Sequence, residues 1–77
     1  MKEIKVLGPG CAKCVTLFEN VERAVREMEL ECTIEKITDI NTIVSYSVMM
    51  TPALVVDGSV ASSGRALSVD EIKKLLG

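Results

Sequence analysis

The chain has no histidine and no tryptophan, and its aromatics are one phenylalanine and one tyrosine. Without histidine, a zinc site would have to be built from cysteines and carboxylates, and only three cysteines are present. Nine Lys and Arg against eleven Asp and Glu leave a net charge of −2. With no basic patch and no aromatic platforms, little is available to neutralise phosphates or stack on bases, which argues against a nucleic-acid partner. No apolar run approaches the roughly eighteen residues of a membrane-spanning helix. Lys2, Glu3 and Lys5 interrupt the N-terminal segment where a signal peptide would be continuously apolar. The expected setting is therefore cytoplasmic, with no membrane partner. A reducing compartment and an odd number of cysteines also exclude a disulfide scaffold, so the cysteines read as reactive rather than structural.

What remains is ordinary for a small soluble domain. Residues 1–77, 48% hydrophobic and 26% charged, are expected to form a single domain. A chain of this length buries only about 60% of the surface its unfolded form exposes.

The most informative feature is Cys11-Ala12-Lys13-Cys14, placed between a strand pattern and a helix pattern. Lys2 to Leu7 alternates polar and apolar residues and predicts a first strand. Gly8-Pro9-Gly10 breaks it and forms a loop carrying Cys11. From Cys14 onward, Cys14, Val15, Phe18, Val21, Ala24, Val25 and Met28 recur at helical spacing and predict the buried stripe of a helix ending near Met28. A cysteine pair at that junction can cycle between dithiol and disulfide, or it can hold a soft metal such as Cu(I). The helix N-terminus favours the first chemistry. Its N–H groups and positive dipole end stabilise a thiolate on Cys11, and Lys13 adds positive charge, lowering the pKa from about 8.5 towards 7.

Cys32, Ile34 and Ile37 predict a second strand, with Cys32 a small core residue. Asp39 suits the N-cap of a short helix carrying Ile40, Ile43, Val44 and Ser47 or Val48 inward. Thr51-Pro52 leads into the uncharged strand Ala53–Val56. Asp57-Gly58 is a two-residue hairpin signal, followed by a return strand over Ser59–Ser62 that Ser63-Gly64 ends. Ser68-Val69-Asp70-Glu71 is a capping box, with Leu67 and Ile72 as a hydrophobic staple and Val69, Ile72, Leu75 and Leu76 as the inner face. Met49 and Met50 read either as core filling or as an apolar rim, Tyr46 as packed or exposed, and Arg65 as a surface charge.

The resulting order, β-α-β-α-β-β-α, with Cys-x-x-Cys after the first strand and Thr-Pro before the third, resembles the thioredoxin/glutaredoxin superfamily. The likeness spans Ile4 to Leu76 and is nearest to its small archaeal and bacterial redox-active disulfide proteins. It implies an α/β thioredoxin fold, a four-stranded mixed sheet flanked by helices. It implies thiol–disulfide exchange with a disulfide-bearing protein and with an upstream reductase, by a monomer that needs no cofactor. Cys11 then matches the attacking cysteine and Cys14 the resolving one. Pro52 matches a proline that is cis and faces the sulfurs, and Thr51 the residue whose backbone pairs with a bound substrate strand. Gly10 and Gly64 match positions lining that site. Gly10 stands where thioredoxins have Trp, and the glutathione-holding stretch of glutaredoxins is reduced to Gly64-Arg65, which weighs against glutathione as a ligand.

Two rival classes use the same residues. A heavy-metal-associated domain also places Cys-x-x-Cys between a first strand and helix. Such domains run βαββαβ and carry Met two residues before the first cysteine, where this chain has Pro9. A redox-inert interaction module would have no reason to keep both cysteines.

Overall fold

The computed structural model describes residues 2–10 and 12–77. β1 (Lys2–Leu7) lies at the centre of the sheet, because its alternate side chains serve two different layers. Ile4 and Val6 point to one face, where they are buried with Leu17, Val21, Ala24, Leu54, Ile72 and Leu76. Leu7 points to the other and is buried with Ile43, Val48, Ala53 and Val55. β2 (Cys32–Ile37) runs parallel to β1, while β3 (Ala53–Val56) runs antiparallel on its other side. β4 (Ser59–Ser63) pairs antiparallel with β3, giving the order β2-β1-β3-β4. α1 (Ala12–Met28) and α3 (Val69–Leu76) cover the first face, and α2 (Ile40–Ser45) covers part of the second. This is the mixed four-stranded α/β thioredoxin fold the sequence implies.

The local signals are realised in detail. Asp57 and Gly58 both take positive φ, 50° and 83°, as the tight hairpin turn demands. Asp57 Oδ1 also accepts the Glu3 backbone N–H at 2.9 Å, tying the hairpin to β1. Asp39 caps α2 by accepting from the Thr42 backbone N–H, and Ser68 and Glu71 form the reciprocal capping box of α3. α1 ends with Glu29 at φ 53°, and the N–H groups of Glu29 and Leu30 bond back to Arg26 and Val25, a Schellman closure.

Three details differ from the sequence reading. On α1 the buried positions are Cys14, Leu17, Val21 and Ala24; Leu17 is wholly buried while Val15 is 40% exposed. A step of one residue turns the helix by about 100°, so a stripe centred on residues 14, 17 and 21 carries Val15 off the sheet. Full burial of a side chain such as Leu17 contributes about 1.5–3 kcal/mol. α2 is a short helix whose one buried residue is Ile43, and Ile40 and Val44 face outward. Val48 reaches the core from the loop after α2, past Ser47 at φ 61°. On α3, Leu75 is largely exposed, leaving Ile72 and Leu76 as the buried pair. Tyr46 packs half-buried on the second face and accepts a hydrogen bond from Lys5 Nζ at 3.0 Å.

Candidate active site

The site lies one row beyond the ordered ladders, at the end of the sheet where β1 finishes and β3 begins. Leu7 pairs with Ala53, and Ala53 pairs with Ser63. The next residues outward are Gly8, Pro52 and Gly64. Gly8 donates its N–H to Ile37 O at 2.9 Å, and Gly64 donates to Pro52 O at 2.8 Å, so the backbone stays in register through this row. Pro52 has no N–H to give, which suits the residue just before a strand. It is buried, and the Thr51–Pro52 peptide bond is cis.

Cys14 enters this row from above, from the first turns of α1, and is buried. A Cβ placed on Gly8 would stand 2.3 Å from Cys14 Sγ and 3.9 Å from Pro52 Cα. The sulfur therefore occupies the space beside this bare glycine, and the proline Cα borders it. Gly8 is a site residue that sequence reasoning missed. Its signal is available in the sequence, a glycine closing a strand just before the cysteine motif, but the reading of Gly8-Pro9-Gly10 as a strand break and as the loop carrying Cys11 gives Gly8 no contact of its own.

Cys11 lies outside the described residues. Among the described residues α1 spans Ala12–Met28, and it has no acidic residue in its first turn to offset the positive dipole end. Lys13 is exposed on that turn. Gly10 is exposed at φ 96°, and a Cβ there would meet none of the described residues within 4 Å, so it serves the turn. Among the assigned positions, the structure gathers Cys14, Pro52 and Gly64 into one row and sets exposed Thr51 beside it, while Lys13 and Gly10 stand at the surface.

The rim is apolar. Met49 is 97% exposed and Met50 64%, directly before Thr51. Gly64, at φ 75°, lets Met50 close over it: a Cβ there would meet Met50 Cβ at 3.1 Å and Cε at 3.2 Å. Arg65, next to it, is an exposed charge paired with Glu71 at 2.6 Å.

Cys32 is remote from all of this. It starts β2 opposite Lys2, five residues before Ile37, or about 16 Å along the strand. Burial pushes its thiol pKa up, which disfavours the thiolate. Among the described residues, no three of Cys, Asp and Glu gather closely enough to hold a metal ion. No helix among them is long and apolar enough to cross a membrane.

Comparison with known proteins agrees with this geometry. Residues 2–77 match the family described as thioredoxin domain. Over 76 residues, 99% of the chain, it is 40% identical to a thioredoxin of Methanocaldococcus jannaschii, covering 87% of that protein. It is 38% identical to a thioredoxin of Methanothermobacter thermautotrophicus, with 99% of both chains covered.

Proposed function

Because this chain belongs to the thioredoxin domain family and is a thiol–disulfide oxidoreductase, we propose that it exchanges disulfides with partner proteins through Cys11 and Cys14. Cys11 is the attacking thiolate. It cleaves the partner's disulfide, forms a mixed disulfide and expels the partner's second sulfur as a thiolate. Cys14 then gives up its proton and attacks the Cys11 sulfur. The Cys11–Cys14 bond forms, the partner's remaining sulfur leaves, and two electrons have passed to the partner. An upstream reductase returns the pair to the dithiol.

The observation that carries this reading is the placement of Cys14. Its sulfur is buried in the row of Gly8 and Pro52, which withholds it from a large partner and suits a second, internal attack. The start of α1 at Ala12 supports a stabilised thiolate at the preceding cysteine. Exposed Thr51, with Met49 and Met50 beside it, suits an extended protein segment laid along the site. The proposed setting is the cytoplasm, where a dithiol of this kind is kept reduced.

The assignment of roles is tested by trapping. Cys14→Ser should accumulate mixed disulfides with partner proteins, and Cys11→Ser should not. Equal trapping by both variants would void the assignment.

A further inference from the structure

Two glycines flank Pro9, and they are needed for opposite reasons. Gly10 holds a left-handed φ of 96°, and among the described residues a Cβ there would meet nothing within 4 Å. Its backbone requires glycine, and the space does not. Gly8 is the reverse. Its φ lies outside the left-handed region, so alanine would fit the backbone. The space is what forbids it, since a Cβ would stand 2.3 Å from Cys14 Sγ and 3.0 Å from Cys14 Cβ.

Non-bonded heavy atoms settle at about 3.5–4 Å, so the sulfur would have to retreat by more than about 1 Å. It has little freedom to do so. Sγ is one bond from a Cβ fixed on the first turns of α1, and that helix is anchored by buried Leu17, Val21 and Ala24. Pro52 Cα borders the same space.

We infer that Gly8 is a positioning residue for the exchange, its bare Cα forming the socket that seats the Cys14 sulfur for the resolving step. This rests on the reading of Cys14 as the resolving cysteine. In that step the Cys14 thiol loses its proton and its sulfur bonds to the Cys11 sulfur. The bond between Cys11 and the partner breaks, and the partner sulfur leaves with the electron pair. The second displacement depends directly on where the Cys14 sulfur sits, whereas in the first the attacking atom is the Cys11 sulfur. A shift of about 1 Å in a reacting atom can slow a step on the order of 10²-fold.

An aromatic disulfide such as Ellman's reagent separates the two steps, because each displacement releases one coloured thiolate. In a Cys32→Ala background, reduced protein should release two equivalents in quick succession. Gly8→Ala should release the first at an unchanged rate and the second on the order of 10²-fold more slowly. If the parent releases only one equivalent, the resolving role of Cys14 fails. If the parent releases two and folded Gly8→Ala releases both at parental rates, the role of Gly8 alone fails. Should Gly8→Ala not fold, Gly8→Ala/Cys14→Ala decides. With the sulfur gone, the remaining Cβ contact of 3.0 Å needs a shift of only tenths of an ångström, so the double variant should recover the fold. A double variant as unfolded as the single one would overturn the socket.

Discussion

Gly64 donates its backbone N–H to the carbonyl oxygen of Pro52 at 2.8 Å, carrying the β3–β4 ladder one residue past its last side-chain pair. The same glycine sits at φ 75° beneath the Met50 side chain. Alanine at this position would meet both a left-handed backbone and a Cβ contact of 3.1 Å with Met50. Gly64→Ala is expected to lower stability by about 1–2 kcal/mol, read from the denaturant midpoint. An unchanged midpoint would mean that the loop relaxes without strain.

Cys32 is expected to be a spectator of the chemistry. It lies at the far end of the sheet, and burial raises its thiol pKa. In the reduced protein near neutral pH, an alkylating agent should modify Cys32 slowly, with the rate rising as pH approaches its elevated pKa. Cys32→Ala should leave the rate of disulfide exchange within about twofold and cost about 1 kcal/mol of stability. A large loss of exchange in this variant would place a third thiol in the mechanism.

Those two expectations show where sequence is legible and where it is not. Asp39, Asp57-Gly58 and the Ser68–Glu71 box were readable because each satisfies backbone groups within a few residues of itself. The cysteine motif and Thr51-Pro52 were readable because their residue types are rare in that order. The phase of α1 was not. Val15 and Leu17 are both apolar, and only the sheet beneath decides that Leu17 is buried and Val15 exposed. α2 looked more amphipathic than it is, because a six-residue helix offers the core little more than Ile43. The contacts of Gly8 with Cys14 and of Gly64 with Met50 join residues on different elements, and a glycine in sequence does not reveal whether it serves a dihedral angle or a neighbour's volume.

Acid should loosen the packing of α1 against α3. Glu27 on α1 pairs with Lys73 on α3 and with Arg23 on its own helix, and these hydrogen bonds hold its pKa below the ordinary 4.5. A carboxylate whose folded pKa is depressed stabilises the fold above its unfolded pKa, and that stability is lost as pH falls through the folded value. Glu71 adds to the same trend, its carboxylate held down by the Ser68 backbone N–H and by Arg65. Stability should therefore decline below about pH 4.5. Glu27→Gln should flatten part of that decline, as measured by thermal unfolding at a series of pH values. Both groups are solvent-exposed, so raising the salt concentration should shrink the effect. Identical acid profiles for the two proteins would remove Glu27 from the account.

The central claim is that Cys11 and Cys14 form one reversible two-electron couple. It is tested most directly by a redox titration of metal-free protein at neutral pH, quenched with an alkylating agent and read by peptide mass spectrometry. The account predicts a single cooperative transition that links Cys11 to Cys14, with Cys32 alkylatable throughout under denaturing quench. A protein in which no reversible bond between Cys11 and Cys14 forms at any potential would contradict it, and the pair would then be tested for binding of Cu(I) or Zn(II).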